Sequence, residues 1–149
     1  MVTTMFSDEV INSSQLRSQQ KRWLDKAYIE PISIVSGEKK LVLLNRERAR
    51  DILIFNHYAQ MIIQFCQEQK GGIVRDSKVF TWIKHLSEDA IFEFHHELLT
   101  TFAEVIHSKD WLTLDDLLND WIATAEVESK PKLAEALLAK EDPARYVKA

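Results

Sequence analysis

The residues best equipped for chemistry sit together in Phe92-Glu93-Phe94-His95-His96-Glu97, two imidazoles and two carboxylates within six positions. Ligands on one helix must recur every three or four residues to share a face. Glu93 and His96 do so, in the E-x-x-H spacing that di-iron bundles use. Glu104-Val105-Ile106-His107 repeats that spacing eleven residues further on. Both pairs fall on what reads as one helix, so they cannot close on the same ion, and matched ligands on separate helices are not evident. The five histidines therefore read as ordinary surface residues, and neither a metal nor a cofactor is expected. Cys66, the single cysteine, falls on an apolar helix face and reads as a small packed residue rather than a nucleophile. The chain has no G-x-S-x-G, no P-loop and no G-x-G-x-x-G. No catalytic residue is assigned, and an enzyme is not the expected class.

The elements that would position these residues follow from hydrophobic spacing. The 149 residues suit one domain with an appendage, and three glycines and three prolines favour long helices over a loop-rich sandwich or barrel. Glu9-Val10-Ile11 reads as a short strand. Asn12-Ser13-Ser14-Gln15 reads as a capped helix start, with Gln15 completing a capping box. One helix then carries Leu16, Trp23, Leu24 and Ala27 on one face and Arg17, Lys21 and Asp25 on another, until Glu30-Pro31 ends it. Ile32–Val35 and Lys40–Leu44 surround Ser36-Gly37-Glu38-Lys39 and predict a hairpin. Its second strand, apolar on both faces, is expected to be covered on both sides. Asn45 caps a long helix over about 46–69, whose apolar stripe is wide enough to demand a second covering surface.

Gly71-Gly72 is the clearest breaker and is taken as the boundary between residues 1–70 and 71–149. Beyond it the pattern is helical. A short piece covers Lys78–Leu86, and a helix capped by Ser87 carries Ile91, Phe94, Leu98, Phe102 and Val105. A third helix opens at Thr113-Leu114-Asp115-Asp116, and a last one runs from Pro131 to Asp142-Pro143. The fold class is α+β, a strand-helix-hairpin-helix unit followed by an all-helical region.

Charge divides the chain. The net charge is −4, yet Asn12–Arg50 holds nine Lys or Arg against four Asp or Glu, and Gly71–Ala149 holds nine against fifteen. A basic first part and an acidic second part suit an anion at one end and a different partner at the other. No apolar run reaches the roughly 18 residues of a membrane span, and the N-terminus lacks a signal-peptide layout. The expected setting is cytoplasmic, with no membrane partner.

One stretch carries a resemblance. Val10-Ile11-Asn12-Ser13-Ser14-Gln15-Leu16-Arg17, Trp23-Leu24-Asp25-Lys26-Ala27, Glu30-Pro31-Ile32-Ser33-Ile34 and Lys39-Lys40-Leu41-Val42-Leu43-Leu44 together resemble the prevent-host-death family, the Phd/YefM-type antitoxins. The match covers about Glu9 to Phe55, roughly a third of the chain. It implies a homodimer whose N-terminal domain binds operator DNA and whose C-terminal segment holds a cognate toxin protein. By position Arg17 matches the family's DNA-contacting arginine, and Asn12, Ser13, Ser14, Lys21 and Arg22 complete the implied DNA face. The implied dimer interface is the long helix, at Ile52, Phe55, Ala59 and Ile62. Phe94, Leu98, Trp111 and Trp121 are the candidate partner-binding residues.

The chain departs from the family pattern in two places. Ser36-Gly37 stands where many members carry a basic residue at the hairpin turn, with the lysines later at Lys39 and Lys40. A helical region of 79 residues replaces a short tail. That region reads as a preformed toxin-binding module, an extra dimerisation module or something unrelated. The alternative function is a protein-interaction or scaffold module that keeps the fold without binding DNA.

Overall fold

A computed structural model describes residues 9–140. The order is β1 (Val10–Asn12), α1 (Ser13–Ser18), α2 (Gln20–Ile29), β2 (Ile32–Ser36), β3 (Lys39–Leu43) and α3 (Arg46–Glu68). A 3-10 turn (Thr81–His85) follows, then α4 (Glu88–Ser108), α5 (Trp111–Glu128) and α6 (Pro131–Lys140). The chain divides into two compact units, Met1–Ile54 and Phe55–Ala149. The division falls inside α3 rather than at the 70/71 boundary expected from Gly71-Gly72. Ile62 and Phe65, in the second half of α3, are buried, and Phe65 packs its ring on Phe80 and Phe94 of the second unit.

In the first unit β1 pairs parallel with β2, and β2 antiparallel with β3. A parallel pair needs a crossover, which α1 and α2 provide. Ile11, Ile32 and Ile34 share one sheet face and are buried with Trp23 and Ala27 of α2, with Leu16 and Leu43 packed against them. Lys26 ties α2 to Glu9, just before β1, and to Glu30 at 3.7 Å. The hairpin loop is Gly37-Glu38. Gly37 has φ +61° and Glu38 a negative φ, the combination of a type II′ turn, where glycine avoids the steric cost.

Three expectations for this unit are corrected. The single helix over 12–30 is broken at Gln19 (φ −133°, ψ 46°). The Ser18 hydroxyl donates to the Gln15 carbonyl at 3.1 Å, a local bond that competes with helix continuation. Leu24 is exposed, because the core behind α2 is only as wide as Trp23 and Ala27. And β3 is an edge strand, with β2 in the centre; Leu41 is 55% exposed, so it is not covered on both sides.

In the second unit Ser77 anchors the segment between α3 and α4. It is buried, and its hydroxyl donates to Glu68 at 2.5 Å and accepts from the Val79 and Phe80 amides at 3.1 and 2.9 Å. Glu68 also accepts from the Lys78 amide at 2.8 Å, and the Gln69 side chain exchanges two 2.8 Å bonds with Val74. Ser77→Ala leaves the buried Phe80 amide unsatisfied and is expected to cost about 1–3 kcal/mol, read as a lower urea midpoint with an unchanged slope.

Ser87 caps α4 by accepting from the Ala90 amide at 3.2 Å, as expected, and Pro131 is the first residue of α6. By contrast α5 begins at Trp111, ahead of the Thr113 start that the capping pattern suggested. The Thr113 hydroxyl bonds back to Asp110 at 3.1 Å, so Asp110 stands at the helix start. Asp142-Pro143 lies outside the described residues. Among those residues no helix is long and apolar enough to cross a membrane.

Candidate nucleic-acid interface

Asn12 closes the capping box of α1. Its Oδ1 accepts from the Gln15 amide at 2.8 Å, and Gln15 Oε1 accepts from the Asn12 amide at 2.9 Å. Asn12 is exposed and holds the start of α1 through its Oδ1 and backbone amide. Ser13 and Ser14, in the first turn of α1, are exposed, as are Arg17, Lys21 and Arg22. The break at Gln19 separates them into Arg17 on α1 and Lys21 and Arg22 on the first turn of α2. An open depression of about 660 Å³ lies at that break, lined by Ser18, Gln19, Gln20, Lys21, Arg22 and Asp25.

The cations differ in freedom. Arg22 donates to Gln19 Oε1 at 3.0 Å and lies 5.2 Å from the Trp23 ring, so it is held. Arg17 and Lys21 have no side-chain hydrogen bond or ion pair among the described residues. Cations free of acidic partners can release counterions when they meet phosphate.

The sheet adds two residues that charge and spacing alone left outside the site. The register aligns Asn12 with Val35 and Val35 with Lys40. Lys40 thus stands two strands from Asn12, roughly 10 Å at ordinary strand spacing, at the sheet end from which α1 departs. Lys39 is its neighbour. The signal for this was the parallel pairing of β1 with β2, which linear spacing does not display.

The remaining candidates are dispersed. Of the dimer set, Ile52 is exposed and Ala59 half-buried, while Phe55 stacks on Phe102 at 5.9 Å. Ile62 is buried within its own chain and is corrected from an interface to a core residue. Of the partner-binding set, Phe94, Leu98 and Trp111 are likewise buried, so their surface is already spent in the second unit. Trp121 is half-buried, and its indole donates to Glu97 at 2.8 Å. Helical periodicity identifies the face that is buried but not what buries it.

The E-x-x-H region forms no centre. Among the described residues no group of three or more His, Cys, Asp or Glu is placed to hold a metal ion. His95 Nε2 lies 3.4 Å from Cys66 Sγ. Burial pushes the Cys66 thiol up and the His95 imidazole down, so the pair is neutral near pH 7 and the thiol is a poor nucleophile. Tyr58 stacks on Trp111 and donates to Asp115. Burial, then that carboxylate, pushes its hydroxyl up to about 12. These three groups serve the packing of the second unit.

No family model, curated protein or solved structure matches the chain.

Proposed function

We propose that the chain is a dimeric, DNA-binding autoregulator of the antitoxin type, cytoplasmic and without enzymatic activity. In this reading the first unit meets operator DNA and the helical second unit holds a toxin partner. The observation that carries it is the placement of Arg17 and Lys21, exposed and without acidic partners among the described residues, beside a capped helix start, with Lys39 and Lys40 at the same sheet end. Phosphate contacts from Lys21, Lys39 and Lys40 would set affinity, and Arg17 would add reading of a base edge. The toxin contact is assigned to the exposed face of α5, where Asp116 and Asp120 suit a basic protein by charge complementarity.

The test is fluorescence anisotropy on a duplex from the region upstream of the chain's own gene, with a scrambled duplex at the same salt. Arg17→Ala is expected to weaken the native duplex by about 1–3 kcal/mol, with little change on the scrambled one. Equal, weak binding to both duplexes would overturn the operator reading. The second reading, an interaction module that does not bind DNA, draws support from the turn itself. Its two loop residues are Gly37 and Glu38, which place a carboxylate rather than a cation at the tip.

A further inference from the structure

The loop after α3 is braced by two adjacent side chains. Gln69 exchanges two 2.8 Å bonds with Val74, and the Gly72 amide donates to the Gln69 carbonyl at 3.1 Å. Glu68 takes up the Ser77 hydroxyl and the Lys78 amide. This bracing holds Ile73 out of the core, at 41% exposed, while Phe92 on α4 is 66% exposed. Burying one such side chain is worth roughly 1.5–3 kcal/mol, so a fixed loop that keeps Ile73 out leaves that gain for a ligand. Ile73, Phe92 and the buried Ile91 give the apolar lining of a depression of about 320 Å³. That is at the small end of the roughly 300–1,000 Å³ of ligand pockets, which are usually pre-formed.

The polar lining sets the ligand's chemistry. No acidic residue lines the depression. Lys70 does, exposed and with no side-chain hydrogen bond or ion pair among the described residues. Gln69 also lines it, but its amide is spent on Val74. His95 is the third polar side chain. Its Nε2 meets Cys66 Sγ at 3.4 Å, its ring packs edge-on against Phe65 at 5.3 Å, and its Nδ1 has no partner among the described residues. Burial keeps the imidazole neutral and the thiol protonated. A thiol that donates to Nε2 leaves the ring hydrogen on Nδ1, as a donor. One cation and one N–H donor beside apolar walls recognise an anion with an apolar body. A carboxylate suits both, since its two oxygens accept in different directions. A Cβ on Gly72 would meet nothing within 4 Å, so the space over the loop backbone is open to such a molecule.

We propose that the depression between the Lys70–Ile73 loop and α4 binds a small aromatic carboxylate, with its ring against Ile73, Ile91 and Phe92 and its carboxylate accepting from Lys70 and His95. An aromatic body is favoured because a planar ring stacks on the open phenyl of Phe92 and loses fewer rotamers on binding than a flexible chain. Binding is non-covalent, and the Cys66 thiol serves only to orient the imidazole. The site stands apart from the DNA and toxin surfaces and does not depend on either.

The test is titration of benzoate into the full chain while the His95 imidazole and Ile73 methyl signals are followed by NMR. Saturable shifts of both are expected. Benzamide, which keeps the ring and loses the charge, is expected to bind at least about fivefold more weakly, and benzylamine not to bind. Isobutyrate, a carboxylate without a ring, is expected to bind more weakly than benzoate. Lys70→Met is expected to weaken benzoate about fivefold and to leave benzamide unchanged. Phe92→Ala is expected to abolish saturation. Both substitutions fall at exposed positions, and the helical circular dichroism of each is expected to match the wild type. Absence of saturable shifts in the wild type, or unchanged benzoate affinity in both variants, overturns the site. Equal binding of benzoate, benzamide and benzylamine overturns the anion, and isobutyrate binding as tightly as benzoate overturns the aromatic body.

Discussion

Replacing Phe94 with alanine is expected to destabilise the second unit by about 3–5 kcal/mol. Phe94 is fully buried. Its ring centroid lies 5.4 Å from that of Phe65, 5.3 Å from Phe80, 5.0 Å from Trp82 and 5.7 Å from Trp121. These rings come from α3, the segment after it, the 3-10 turn and α5, so one side chain joins four parts of the chain. Truncation removes the transfer free energy of the ring and leaves a cavity whose aromatic walls cannot all move inward. Because Trp82 and Trp121 both line it, the loss is visible as reduced near-ultraviolet circular dichroism as well as a lower melting temperature. Phe92→Ala, two residues away and largely exposed, is the control and is expected to change stability by no more than about 0.5 kcal/mol. Equal effects for the two would mean that the assignment of core and surface on α4 is wrong.

Ile32→Ala is expected to cost the first unit about 2–5 kcal/mol, and the consequence is larger than the number suggests. Among the described residues, Ile11, Trp23, Ala27, Ile32 and Ile34 form its buried core. Ile32 is fully buried on the central strand, opposite Leu43. Domains are stable by only about 5–15 kcal/mol, so the loss is a large part of what such a small core supplies. Hydrogen exchange of the β2 amides measures it directly, with faster exchange expected throughout the strand. Ile29→Ala, at a 78% exposed position, is expected to leave those rates unchanged. Retained protection in Ile32→Ala would show that the sheet does not depend on this core.

Much of the local structure was legible in the residues. The Asn12–Gln15 box, the Ser87 cap, Pro131 at the start of α6 and the glycine-bearing hairpin are each set by chemistry within four positions, which a linear reading can see. What failed was set by contacts distant in sequence. Leu41 and Val42 read as doubly covered because their residue types are apolar, yet strand order alone decides which strand lies at an edge. Phe94, Leu98 and Trp111 read as partner-binding because an amphipathic stripe does not announce whether its cover belongs to the same chain. The break at Gln19 is a local exception, marked by neither proline nor glycine. Of the candidate DNA face, Arg17, Lys21 and Arg22 were legible from charge and the helix start. Lys39 and Lys40 were not, since only the parallel β1–β2 pairing carries them to that end of the sheet.

The edge position of β3 gives those two lysines a second duty. An outer strand offers open backbone hydrogen-bonding groups to any extended chain that passes, and Leu41 and Val42 make the offer attractive. Charged side chains on such a strand discourage ladder growth because successive copies would stack like charges. Lys39 and Lys40 occupy the first two positions of β3. The cations that would meet phosphate are therefore also the guard against fibrous assembly. Replacing them to remove the proposed phosphate contacts would therefore also remove the charges that oppose pairing at this edge.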